Sequence, residues 1–285
     1  MPDQLPWTYD FPVRIAIPFA IWLFCVGGCI GSFLNVVVYR LPRGMNLSRP
    51  RSRCPRCGQP IRWFNNIPIL SWFVLRGRCR DCSGPIASRY MLVELLVATL
   101  FLTLGMSEPI TAGQGLPALY TVQEIDIWMV YATHLALLVT ILGVALIQQD
   151  GQPVPLSLFW PLLAILAASL LLTDTLYPQP LHDSASQLMT LLVGLGSGLL
   201  AGSLAWLLEL KLAGRSDRAV LIGLSLAGAA LGWQLTVLMG SAVLLLFLLL
   251  QLLSGGRLRL SILMLVFTLT ALLVGRWQAV SSSWF

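Results

Sequence analysis

"IAIPFAIWLFCVGGCIGSFLNVVV", residues 15–38, contains no ionisable carboxylate, lysine or arginine until Arg40 ends it. As a helix rising 1.5 Å per residue it would reach roughly 36 Å, enough to cross a hydrocarbon core of about 30 Å. It is longer than the apolar core of a cleavable leader and follows Asp3 and Asp10 rather than a basic segment, so no cleavable signal peptide is expected. The pattern recurs along the chain. Apolar stretches near 91–106, 127–148, 156–173, 187–210, 219–237, 239–254 and 260–275 predict about eight spans in all. The chain of 285 residues is 57% hydrophobic and only 11% charged, which excludes a soluble globular domain. Backbone polar groups cannot be left unpaired in lipid, and no alternating ten-residue pattern of a barrel is present. The expectation is therefore an all-α polytopic membrane protein.

Charge orients these spans. Of the 18 basic residues, 11 lie between Arg40 and Arg89, all of them arginine, against the single acid Asp81. The positive-inside bias makes that loop cytoplasmic. Counting outward from it places Lys211, Arg215, Arg218, Arg257 and Arg259 inside, and Glu108, Glu124, Asp126, Asp174 and Asp183 outside. Both termini then fall outside, while Asp150 and Asp217 share the cytoplasmic face. Two regions result: residues 1–105, with two spans and the Arg-rich loop 40–90, and residues 106–285, with six spans. Anionic lipid headgroups account for the arginines as well as any more specific partner does. Nucleic acid is not expected, because Trp63, Phe64, Trp72 and Phe73 sit in the apolar run "WFNNIPILSWF", suited to a membrane surface rather than to base stacking.

Within the loop, "CPRC" (54–57) and "CRDC" (79–82) form two C-x-x-C knuckles, a spacing at which Cys54, Cys57, Cys79 and Cys82 reach one tetrahedral Zn²⁺. Gly58 and Gly84 follow at matching positions and help the chain bend. Two disulfides or four reduced thiols are the alternatives; clustered thiols in a reducing cytoplasm favour metal. Four protein ligands leave no open position, so such a zinc is structural. Cys25 and Cys29, inside the first span, read as packing residues. Glu94 in "VELL" pairs with an arginine such as Arg89 or is simply an interfacial acid, and Glu209 beside Lys211 marks a span terminus. With so few charges at mid-span, a transporter is a poor reading.

These motifs carry a resemblance. "GSFLNVVVYRLPR" (31–43), the two knuckles, "RWFNNIPILSWFVLRGRCRDC" (62–82) and "SRYMLVELL" (88–96) resemble, in order and spacing, the amino-terminal half of bacterial type IV prepilin peptidases. "GRSDRAVLIGLSLAGAALGWQ" (214–234) resembles that family's G-x-G-D-x-K-L segment and the helix after it. The resemblance implies a multi-pass enzyme of the bacterial inner membrane, an aspartic endopeptidase that cuts the basic leader from pilin-like precursors of pilus or secretion systems. It also implies N-methylation of the new amino terminus with S-adenosylmethionine, and partners that are prepilins and the lipid bilayer.

Aspartic proteolysis needs one ionised carboxylate as general base and one protonated to polarise the scissile carbonyl. Asp217 occupies the Asp of the G-x-G-D pattern, although a plain helix N-cap explains it equally well. Ser216 stands where the second Gly belongs, and Ala219 where Lys is usual. In "LIQQDGQPVP" (146–155) the family's first catalytic Asp is expected seven residues before Pro155, and Gln148 is found there. Asp150 matches the accessory acid. On a continuing helix its side chain would point about 200° away from that of Gln148, whereas a stop at Gly151 and Pro153 would let a loop turn it inward. The expected dyad is Asp150 with Asp217. The alternative is a catalytically silent homologue that binds pilins or assists assembly, with an enzyme confined to methyl transfer as a third outcome.

Overall fold

A computed structural model describes residues 13–114, 124–172, 184–213 and 218–231. It divides into two compact units, Met1–Ile110 and Thr111–Phe285.

In the first unit α1 (Val13–Arg40) packs along α3 (Ser88–Gln114). Small residues make the approach possible. A Cβ at Gly27 would lie 2.7 Å from the Phe101 Cβ, and one at Gly31 would lie 2.8 Å from the Glu94 Cα. This four-residue spacing of glycines is the usual device for close helix contact in lipid. Asn35 adds a polar tie, its Nδ2 donating to the Tyr90 carbonyl at 3.1 Å. A short 3₁₀ turn, Leu41–Arg43, then stops α1 at Gly44, whose φ of 64° is left-handed. Arg40 is buried here. Its guanidinium donates to the carbonyls of Asn46 (3.0 Å), Leu47 (3.2 Å) and Pro50 (2.8 Å), so this arginine folds the turn rather than facing lipid. Between α1 and α3 the loop carries a 3₁₀ turn, Trp63–Asn65, and one short α-helix, α2 (Leu70–Val74).

In the second unit α4 (Glu124–Gln149) is covered along much of its length by α5 (Trp160–Leu172) and α7 (Arg218–Leu231), and α6 (Ser184–Ala213) lies along α7. The stretch from Thr140 to Gln148 is buried throughout. Elsewhere in this unit the hydroxyls of Thr133 and Ser169 meet at 2.9 Å, and Ser169 also donates to the Ile165 carbonyl. The α6–α7 contact is again glycine-mediated. A Cβ at Gly198 would come within 2.8 Å of the Ser225 Cα, and one at Gly202 within 3.0 Å of the Leu221 Cα.

Among the described residues three helices are long and apolar enough to cross a membrane: Ala16–Arg43, Ser88–Met106 and Trp128–Gln149. Shorter apolar helices run over Leu156–Leu172, Leu191–Leu207 and Leu221–Leu231. The expected spans 239–254 and 260–275, and the end of 219–237, lie outside the described residues.

Candidate functional site

Each C-x-x-C motif folds as a tight knuckle closed by one antiparallel bridge, Arg53 with Pro60 and Arg78 with Pro85. In the first, the Cys54 N–H donates to the Gln59 carbonyl at 2.9 Å and the Gly58 N–H returns to the Cys54 carbonyl at 2.9 Å. In the second, the Cys79 N–H donates to Gly84 at 2.7 Å and the Ser83 N–H to Cys79 at 2.9 Å. The register corrects one expectation. Gly58 (φ 71°) has Ser83 (φ 55°) as its counterpart, not Gly84. Gly84 serves close packing instead, since a Cβ there would meet the Arg56 Cδ at 2.6 Å.

The two knuckles bring the sulfurs of Cys54, Cys57, Cys79 and Cys82 within 4.8 Å of one another. All four are free thiols, and the Sγ atoms of Cys54 and Cys82 are 3.9 Å apart. A tetrahedral Zn²⁺ with bonds of about 2.3 Å requires sulfurs about 3.8 Å apart, so the donor set fits zinc. A disulfide requires about 2.05 Å, which this separation excludes for Cys54 and Cys82 as placed. Electrostatics point the same way. Backbone N–H groups of Cys57 and then Arg56 aim at the Cys54 sulfur and lower its pKa to about 6. Cys57 receives a lowering bond from the Gln59 backbone, but desolvation and the neighbouring thiols outweigh it and push that group up to about 11. One thiolate at the centre holds its neighbour protonated until a cation offsets the charge.

The same unit holds a second polar arrangement. Half-buried Glu94 on α3 accepts the backbone N–H of Ile69 at 2.7 Å through Oε2. Ile69 has φ 64° and ψ −56°, and the Leu70 N–H closes a three-residue turn on the Pro68 carbonyl at 2.6 Å. A β-branched residue there is strained, and such strain persists only where surrounding structure enforces it. Glu94 thus anchors a loop backbone, a role that neither sequence reading of it anticipated.

The acidic end of α4 is also defined. The helix continues through Gln149, and the Asp150 N–H still bonds to the Leu146 carbonyl at 3.1 Å. Gly151 (φ 71°) donates to Gln148 at 3.0 Å and Gln152 to Ile147 at 3.2 Å, the double bond of a left-handed glycine cap. Asp150 is therefore the capping residue and is exposed, whereas Gln148, two positions earlier, is buried. Helix geometry separates them as the continuing-helix reading requires. Asp217, Ser216 and Gly214 lie outside the described residues, and so does the side chain of Glu209. Helix α7 begins at Arg218, and Ala219 is buried.

Comparison with known proteins converges on one group. Residues 25–107 match the family described as Bacterial Peptidase A24 N-terminal domain. A prepilin leader peptidase/N-methyltransferase of Myxococcus xanthus is 59% identical over 83 residues, which is 29% of this chain and 25% of that protein. An Escherichia coli type 4 prepilin-like proteins leader peptide-processing enzyme is 42% identical over 130 residues, 39% of this chain and 46% of its own length. Both similarities thus span less than half of the relative. A prepilin leader peptidase/N-methyltransferase of Klebsiella pneumoniae is 33% identical over 245 residues, covering 82% of this chain and 94% of the relative. No solved structure matches. With similarity running along nearly the whole of that relative, and with the cysteine knuckles of the amino-terminal domain folded as a four-thiol cluster, the chain belongs to the prepilin leader peptidase/N-methyltransferase family.

Proposed function

We propose that the protein is a membrane aspartic endopeptidase that removes the leader of type IV prepilin-like precursors at the cytoplasmic face of the bacterial inner membrane. The observation that carries this reading is the similarity along 94% of the Klebsiella relative, which is named for that activity. In the proposed arrangement eight spans place loop 40–90 in the cytoplasm, with residues 1–105 as the amino-terminal region and 106–285 as the peptidase region. Prepilins and lipid are the partners.

Asp150 and Asp217 form the catalytic pair. One carboxylate, ionised, takes a proton from water; the other, protonated, donates to the scissile carbonyl oxygen; close like charges force the pair to share one proton. The exposure of Asp150 at a helix end supports access by water and by a leader peptide. Cys54, Cys57, Cys79 and Cys82 would hold a structural zinc that fastens the two knuckles together and leaves no position for substrate. The names of the relatives also include N-methylation, with S-adenosylmethionine the donor that the resemblance implies.

One observation favours a second reading, a silent homologue that binds or assembles pilins. The position where the family's first Asp is expected holds Gln148, an amide that cannot ionise, and it is buried. Co-expression with a prepilin separates the two readings. Asp150→Asn and Asp217→Asn should each lower leader cleavage by about 10²–10⁴-fold while the protein stays in the membrane. If the natural chain is inactive and Gln148→Asp, alone or with Ser216→Gly and Ala219→Lys, switches cleavage on, the silent reading holds. If Asp150→Asn cleaves normally, another residue partners Asp217.

A further inference from the structure

The loop between α1 and α3 does not stay above the membrane-crossing helices. Glu94, which holds the Ile69 N–H, lies six residues inside α3, about 9 Å along its axis from Ser88. A Cβ at Gly28, in the middle of α1, would meet the Pro68 Cβ at 3.4 Å and the Ile69 Cδ1 at 3.9 Å. Gly28 is about 18 Å along the axis from Arg40. Both contacts fall inside the candidate spans Ala16–Arg43 and Ser88–Met106. Pro68 and Ile69 therefore lie beside the spans, at a depth where lipid replaces water.

Backbone polar groups at that depth must be satisfied. Proline at 68 removes one donor, the Ile69 N–H is taken by Glu94, the Leu70 N–H by Pro68 and the Ser71 N–H by Ile67. Around this turn the apolar side chains point outward: Trp63 and Val74 are each 80% exposed, Leu70 62% and Phe73 58%. In water such a patch would be a liability. A rim of exposed arginines, Arg62, Arg76, Arg78 and Arg80, surrounds it in sequence, and the Arg80 guanidinium sits 5.4 Å over the Phe64 ring.

We propose that residues 63–76 form a foot that inserts into the interface of an anionic bilayer, its apolar face in the acyl region, its arginines on lipid phosphates, and Glu94 as the positioning residue that holds the turn at depth. The occupant is lipid because an apolar centre with a cationic rim matches acyl chains bounded by phosphates, and because the turn already lies at the level of the spans. The inference needs only that α1 and α3 cross the membrane and is independent of peptidase activity. It also gives the exposed arginines of the loop a task distinct from setting topology.

The test places a dansyl amino acid at Val74 of the full chain, in nanodiscs of phosphatidylcholine with or without phosphatidylglycerol, and compares quenching by acyl-brominated lipid with quenching by aqueous iodide. A second probe at exposed Gln59 reports a water-facing site. Insertion predicts strong bromolipid quenching at 74 and several-fold weaker iodide quenching than at 59. Arg76→Gln with Arg78→Gln should reduce the bromolipid signal more in anionic than in neutral discs, and Glu94→Ala should raise iodide access at 74. Equal iodide quenching at 74 and 59 would overturn the proposal. Protection at 74 from both quenchers would overturn it too, assigning the patch to a second copy of the chain.

Discussion

Cys54 and Cys57 share one turn yet are driven in opposite directions, because the backbone N–H groups of Cys57 and Arg56 converge on Cys54 while Cys57 meets desolvation and three other sulfurs. A thiol whose folded pKa is depressed contributes stability above its ordinary range and loses it as pH falls through the folded value, here about 6. Cys57, raised to about 11, does the reverse: its contribution is present below the ordinary thiol range and lost as pH rises through that value. Protons compete with metal for the thiolates, so zinc-loaded protein should keep its metal at neutral pH and release it progressively as the solution is made acidic. A chromogenic chelator titrated against pH reads this directly; release already half complete at about pH 8 would be the contrary result. The spacing of the cysteines made the four-thiol cluster legible in advance. The swap of Ser83 for Gly84 at the left-handed position was not, because residue preference alone does not tell which of two neighbours carries a positive φ. The bond from Glu94 to Ile69 left no mark in the sequence either, since its acceptor and donor lie 25 positions apart and the donor is a backbone group.

Helix pairs in both units depend on glycine for their separation, and the two faces of α6 offer an internal contrast. Gly198 faces α7, where an added Cβ would meet backbone atoms of Leu224 and Ser225, whereas a Cβ at Gly196 would meet nothing within 4 Å. Gly198→Val should therefore destabilise the α6–α7 pair by about 1–3 kcal/mol, as overpacking against backbone does. Gly196→Val should stay within about 0.5 kcal/mol. Unfolding midpoints in mixed micelles measure the difference, and equal effects at both positions would remove the close contact. The length of the apolar runs located these helices: the stretch 127–148 became α4 (Glu124–Gln149) and 187–210 became α6 (Ser184–Ala213). Which helix faces which was not legible, because a stripe of small residues marks a close contact without naming its partner.

At the level of the whole chain, the knuckles hold together residues separated by a long, mostly apolar connection, and a metal there would be expected to act as a local fastener. Removing zinc from the full protein in nanodiscs should abolish amide protection around Cys54–Gln59 and Cys79–Gly84, where single backbone bridges close each turn. Protection in α4, buried among α5 and α7, should change little. Hydrogen exchange followed by mass spectrometry distinguishes this from global unfolding, in which α4 would lose protection as well.

From the sequence alone came the membrane class, the helical type, the concentration of arginines in one loop and the four thiols that share a centre. Each of these depends on composition, on a period or on short spacing, and all three survive without knowledge of distant neighbours. Tertiary structure decided what depends on which groups meet. It buried Arg40 against three carbonyls and set Pro68 and Ile69 beside Gly28, where Glu94 holds the Ile69 N–H. It also kept α4 helical up to its glycine cap, so that Gln148 faces the interior and Asp150 faces outward. That last outcome could go either way in the sequence, because Gly151 fixes the end of a helix but the direction of the residue before it depends on whether the final turn keeps its hydrogen bond.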